Sequence, residues 1–166
     1  MRAGCAVTAL LVTGSRSLAD TPEARWWTVQ HLLRALADLP LGSVVVTGDA
    51  SGPDEWTRKV ALAAVCPAVV FTRDGWADDG VRSWPWYSDL PGAPRDRAEW
   101  RTRLLARDRA MVAWVTARCT PRHCLALVAP WSKTHGTEYT ARHAREAGIV
   151  VAEHVCPREY GPGGVR

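Results

Sequence analysis

The sequence predicts an α/β domain of the Rossmann-like, doubly wound kind, with a mainly parallel sheet of five or more strands and helices on both faces. Two observations carry this prediction. Short apolar runs recur along the chain, most of them ended by a turn rich in glycine or proline, and these turns lead into segments with helix-start chemistry. Strands that alternate with helices in this way require right-handed crossovers, which leave the strands parallel and place helices on both sides.

The first run is Val7 to Val12, bounded by Thr13-Gly14-Ser15-Arg16, and a short, continuously apolar run is how a strand buried on both faces reads. Thr21-Pro22-Glu23 then supplies an N-cap, a proline at the first helical position and an acid in the first turn. Trp26, Val29, Leu33 and Leu36 follow at helical spacing and are expected to form the face packed on the sheet. Ser43 to Thr47 repeats the strand pattern, ended by Gly48-Asp49-Ala50-Ser51-Gly52, and Pro53-Asp54-Glu55 opens a second helix on which Trp56 faces the core. Further strands are expected at Ala68 to Thr72 and at Cys124 to Ala129, the latter closed by Pro130 and a polar loop through His135. A helix opens at Gly136-Thr137 and runs to about Ala147, Gly148 caps it, and Ile149-Val150-Val151 begins a fifth strand.

Two segments fall outside this alternation. Residues 73–101 carry Trp76, Trp84, Trp86, Tyr87 and Trp100 among prolines and charges and read as a tryptophan-rich insertion loop. Residues 157–166, rich in glycine and proline, read as a flexible tail, so that residues 1–156 make up a single domain.

A chain of 166 residues, 47% apolar and 23% charged, has the size and composition of one globular domain, which excludes disorder as its main state. The formal charge of +4 is spread along the chain without a long basic run. It suits an anionic small molecule, and equally a non-specific contact with nucleic acid. No stretch approaches the roughly 20 apolar residues of a membrane helix, so no membrane partner is expected. The residues before Cys5 lack the apolar segment of an export signal, and five cysteines, an odd number, read as reduced thiols, so the expected location is cytoplasmic.

In a parallel sheet the turns at the carboxyl ends of the strands share one edge, and ligands settle there. Gly14, Gly48, Gly52 and Gly136 lack a Cβ, so backbone N–H groups in these turns can approach a phosphate at a positive helix N-terminus. Ser15, Ser51, Ser132 and Thr137 add hydroxyls, Arg16 and Lys133 add charge, and His135 lies in the same loop. Any one such glycine can serve only to make a tight turn; three turns on one edge favour an anion site. Cys119, His123, Cys124 and His154 or Cys156 have the chemistry of zinc ligands but no CxxC spacing, and we expect neither a metal nor a cofactor.

The series Thr13-Gly14-Ser15-Arg16, Gly48-x-Ala50-x-Gly52-x-Asp54, Arg107-Asp108-Arg109-Ala110-Met111 and Gly136-Thr137 resembles the motif series of the SLOG superfamily, most of all its uncharacterised YspA/YpsA-like branch. The resemblance spans residues 7 to 151 in order, and its most specific element is the turn from Gly48 to Asp54. The superfamily includes the Lonely Guy phosphoribohydrolases, which release a base from a nucleoside monophosphate, and DprA-type modules that bind single-stranded DNA. It implies a nucleotide or a relative of one as ligand, and it gives Trp76 a counterpart that makes it the first aromatic candidate for ligand contact. Arg107 matches the arginine that the Lonely Guy enzymes use, with Met111 at the same spacing. The chain departs from the pattern at Asp49, where a second glycine is usual, and at Pro53, where alanine is usual. It departs again where those enzymes carry Pro-Gly-Gly-x-Gly-Thr-x-Glu-Glu: Glu138 is out of register, and the two glutamate positions are Tyr139 and Thr140.

The leading expectation is therefore a phosphorylated nucleotide or nucleotide-derived ligand held by Gly14, Ser15, Arg16, Gly48, Asp49, Ala50, Ser51, Gly52, Asp54, Trp76, Ser132, Lys133, His135, Gly136 and Thr137. The alternative is an N-glycoside hydrolase acting on a nucleoside monophosphate through Arg107 and a carboxylate, because an oxocarbenium-like transition state needs an acid near the sugar. Glu138 is the first choice for that acid, with Asp54, Asp49 and Asp108 as the others; Asp54 and Glu138 can equally be acids that stabilise a first helical turn. A second alternative is a nucleic-acid-binding or assembly module, which the spread of charge permits and does not favour. The tryptophan-rich edge is compatible with a homodimer.

Overall fold

The computed structural model describes residues 7–86 and 95–164. Seven strands form one sheet: β1 (Val7–Gly14), β2 (Val44–Gly48), β3 (Ala68–Phe71), β4 (Trp76–Asp78), β5 (Ser83–Pro85), β6 (Cys119–Val128) and β7 (Val150–Val155). Their order is β5-β4-β3-β2-β1-β6-β7. The five strands from β3 to β7 in that order are mutually parallel, and β4 and β5 add an antiparallel hairpin at one edge. Four helices connect them: α1 (Pro22–Ala37), α2 (Pro53–Ala63), α3 (Arg97–Arg118) and α4 (Gly136–Glu146). No described helix is long and apolar enough to cross a membrane.

The period-two alternation of the central strands divides the core into two layers. Leu10, Val12, Val45, Leu125 and Leu127 point to one face, where Leu18, Ala24, Leu32 and Ala61 from the α1 and α2 side meet them. Ala9, Leu11, Val44, Val46 and Phe71 point to the other, against Met111, Val112 and Val115 of α3 and Ala144 of α4. The doubly wound α/β architecture expected from the sequence is the one observed.

The helix α1 presents a different face to the sheet from the one its large apolar residues suggest. Ala24, Thr28 and Leu32 are buried, with Trp27, Ala35 and Leu36 packed beside them, while Trp26 is 66% and Leu33 47% exposed. Small side chains at 24 and 28 let α1 lie close to its neighbours, and the Thr28 hydroxyl donates to the Ala24 carbonyl, so its polarity is satisfied inside the helix. Hydrophobic periodicity scores such positions as weak and is drawn to the bulkier stripe one residue out of phase. Trp56 packs against the core as expected.

Three further segments differ from the sequence-based outline. The hairpin β4–β5 and the first turn of α3 occupy much of residues 73–101, and Tyr87 lies outside the described residues. Strand β6 starts at Cys119, five residues before the expected Cys124; β7 pairs with it only from His123 onward, so Pro121 sits where no β7 partner needs its missing N–H. The described part of the tail is also packed, since the Thr21 hydroxyl donates to the Tyr160 carbonyl and the Trp131 ring fills the place where a side chain at Gly161 would sit.

The phase of α1 can be checked by chemical denaturation of two neighbouring truncations. Leu32→Ala is expected to lose about 2–5 kcal/mol of stability, whereas Leu33→Ala should stay within about 0.5 kcal/mol of wild type. Equal losses would mean that the helix is rotated relative to this description.

Candidate functional site

The direction of winding reverses between β1 and β6: β2 and β3 lie on one side of β1, and β6 and β7 on the other. A crevice opens at the carboxyl ends of strands where such a reversal occurs. Ser15 ties the two sides together. Its N–H donates to the Leu127 carbonyl at 2.9 Å, its Oγ accepts from the Ala129 N–H at 3.1 Å, and its hydroxyl lies 3.5 Å from that of Thr137 in the first turn of α4.

The glycines of the three turns are not equivalent. A Cβ on Gly14 would fall 2.5 Å from Cβ of Pro53, and one on Gly48 would fall 2.5 Å from Oδ2 of Asp54 and 2.6 Å from Cζ of Arg107. At both positions the missing side chain makes room for the protein itself. Gly52 has φ +84° and serves as the N-cap of α2, a conformation that favours glycine. Gly136 alone has nothing within 4 Å of a built Cβ and opens α4 toward solvent.

Arg107 is the centre of the crevice floor. Strand β6, which follows α3, is parallel to its neighbours, so α3 descends from the carboxyl edge and Met111, Val112 and Val115 continue into the core. Arg107 then stands level with Gly48, and the half of α3 before it rises above the sheet edge as a wall. The guanidinium is buried and donates from Nη1 to Oδ1 of Asp49 at 2.7 Å, and from Nη2 and Nε to Oδ1 of Asp108 at 3.0 and 3.2 Å. Asp54 adds a third carboxylate, 3.8 Å from Nη2. Further hydrogen bonds reach the same three carboxylates. The Ala50 N–H donates to Asp54, the Arg73 N–H donates to Asp49, and the Thr140 hydroxyl is 3.0 Å from Oδ2 of Asp108 and 2.9 Å from the Gly136 carbonyl.

Burial opposes the charges of Asp54, Asp108 and Arg107, and its effect differs from group to group. Asp54 is pushed up to about 6, chiefly by desolvation and only partly countered by Arg107, with the Asp108 charge pushing the same way as burial. The Asp108 carboxyl is raised for the same main reason and held back by Arg107 and Thr140. For Arg107 burial favours the neutral form, but Asp108, Asp54 and Asp49 together outweigh it and keep the guanidinium charged. Burial thus raises both Asp54 and Asp108 against the pull of the one guanidinium between them.

The remaining expected site residues surround this floor without joining it. Arg16 is exposed at the end of β1, close enough for its charge to lower the Asp108 carboxyl. Ser51, Lys133 and His135 are exposed, and the Ser132 hydroxyl accepts from the Thr134 N–H at 3.3 Å within its own loop. Glu138 is half-exposed, lies 3.8 Å from the His135 ring nitrogen and makes no ion pair with Arg107. Trp76 opens β4 and is 50% exposed. Among the described residues no group of three or more histidine, cysteine or acidic side chains could hold a metal ion, and Cys66, Cys119, Cys124 and Cys156 are free thiols.

Sequence reasoning passed over Arg73 and Thr140. Arg73 lies 24 residues from Asp49 along the chain and meets it only through the pairing of β2 with β3. Thr140, one of the two positions where the family resemblance leads one to expect glutamate, is buried against Asp108, so the carboxylate at that place comes from α3 instead of α4.

No protein-family model and no curated protein matches the chain. Among solved structures it matches DNA processing protein A (DprA) from Streptococcus pneumoniae, with 18% sequence identity and a TM-score of 0.54, over 89% of this chain and 50% of that one. The two share a fold, and the chain spans about half the length of that neighbour.

A raised carboxyl makes a signed prediction. The folded value of about 6 for Asp54 lies above its ordinary 3.8, so its contribution to folding is fully present below about pH 4 and is lost as pH rises through 6. Asp54→Asn should remove that fall, making the variant more stable than wild type at pH 7.5 by up to about 3 kcal/mol. Urea denaturation of both proteins from pH 4 to 8 reads the difference, and parallel profiles would contradict the assignment.

Proposed function

We propose that this chain binds a phosphorylated, nucleotide-derived small molecule in the crevice between the ends of β1 and β6. The observation that carries the reading is the division of that crevice into an open helix N-terminus at Gly136 and a floor of hydrogen-bond acceptors around Arg107. The spaces beside Gly14 and Gly48 are filled, so the phosphate is assigned to the start of α4, with Lys133, Thr137 and Arg16 around it. The carboxylates of Asp49 and Asp54 suit the hydroxyls of a sugar, which are donors that an anionic phosphate cannot supply. The motif series shared with the SLOG superfamily, and the fold shared with DprA, both agree with a nucleotide-related ligand.

A second reading, N-glycoside hydrolysis, is favoured by one specific feature. Asp54, with its carboxyl raised to about 6, lies near a second raised carboxyl, Asp108, and a carboxyl that titrates closer to neutral pH is what general acid–base work uses. In this reading Asp54 takes the acid role first given to Glu138, and Arg107 acts through the carboxylates it positions.

Calorimetric titration with a panel of nucleoside 5′-monophosphates and a single-stranded oligonucleotide tests the first reading. Saturable mononucleotide binding that weakens about tenfold or more in Arg16→Ala/Lys133→Ala supports it, since a charge-assisted contact is worth about 1.5–3 kcal/mol. Binding confined to the oligonucleotide, and falling steeply with salt, would replace it by a nucleic-acid module. Chromatography of the same mixtures for free base tests the second reading: release that drops about 100-fold or more in Asp54→Asn establishes hydrolysis, and bound but intact nucleotide rules it out.

A further inference from the structure

We infer that Arg73 and Trp100 form the wall on which the ligand's base stacks, a subsite that rests on the nucleotide reading above. The nine tryptophans of the chain sort by what they cover. Trp27, Trp56 and Trp131 pack against the core on the α1–α2 side, and Trp84, Trp86 and Trp114 on the α3–α4 side. Of the three without a place in either layer, Trp26 lies on the outer face of α1, and Trp76 and Trp100 stand at the carboxyl edge of the sheet. Both of these adjoin Arg73: its guanidinium lies 4.8 Å from the centre of the Trp100 ring, and Trp76 closes the turn that Arg73 occupies, through its backbone bonds to Thr72.

Arg73 is held firmly by its backbone and loosely by its side chain. Its N–H donates to Asp49 at 3.1 Å, whereas its Nε is 3.5 Å from the same oxygen and the side chain is 46% exposed. The guanidinium lies over the indole and leaves its outer side partly exposed, a flat cationic surface of the kind on which an aromatic base stacks. Trp100 precedes Arg107 by seven residues, two helical turns, so it lies on the same side of α3 about 10 Å above the carboxylate floor. With the sugar at Asp49 and Asp54, this places the base at the wall and the phosphate across the crevice at α4. The side chain of Arg73 is not required to hold the loop, because its backbone does so, and replacing it leaves the fold intact.

Titration of wild type, Arg73→Ala and Trp100→Leu with adenosine 5′-monophosphate and with ribose 5-phosphate separates the possibilities, with circular dichroism confirming that each variant is folded. Each variant is expected to lose about tenfold or more in affinity for the mononucleotide, the scale of one base–aromatic stack, and to bind ribose 5-phosphate as wild type does. Equal loss for both compounds would overturn the subsite and assign Arg73 to the phosphate; unchanged mononucleotide binding would overturn it outright. Wild-type protein that binds neither compound would instead overturn the nucleotide reading on which the subsite rests, and the subsite with it.

Discussion

A guanidinium taken out of water must find its counter-charges within the protein, and the burial of Arg107 imposes that requirement on four separate parts of this chain. The β2–α2 turn supplies Asp49, the first turn of α2 supplies Asp54, α3 itself supplies Asp108, and α4 contributes the Thr140 hydroxyl that completes the shell. Losing the guanidinium from such a cluster would leave its buried carboxylates uncompensated, at a cost of about 3–5 kcal/mol. That is a large share of the stability of a domain this size. The packing of α2, α3 and α4 about the end of β2 is thus governed by electrostatic closure as much as by apolar contact.

The same closure explains why Gly48 and Asp49 stand together. Glycine leaves the space that Cζ of Arg107 enters, and the aspartate beside it receives Nη1. Against the glycine usual at position 49 in the resembling family, an aspartate here exchanges an open anion-binding turn for a bound arginine. The charge of the guanidinium is neutralised internally by Asp49 and its neighbours.

Much of the fold was legible because it rests on local signals. The valine runs before Gly14 and Gly48 and the Thr21-Pro22 cap report buried strands and a helix start without knowledge of anything distant. The strands β4 and β5 escaped because three residues show no period, and one of the six is a proline at a sheet edge. The face of α1 was misjudged because burial there follows closeness of approach at Ala24 and Thr28 and not side-chain bulk. At the site, spacing and motif order singled out Arg107 and the Gly48–Asp54 turn, but nothing local to Arg73 or Thr140 marks them. Their partners lie 24 and 32 residues away and are reached only across the sheet or between helices.

The contact of Gly14 with Pro53 has a mechanical consequence. A proline ring has few ways to yield, and Pro53 opens the helix that carries Asp54, so the end of β1, the start of α2 and the acid of the floor move as one rigid piece. Ser15 extends that piece to the end of β6. Around this piece stand the half-exposed side chain of Arg73 and the exposed stretch from Lys133 to Gly136. The acid of the floor is thereby placed by the packing of the scaffold itself, and the exposed side chains of the rim stand outside that constraint.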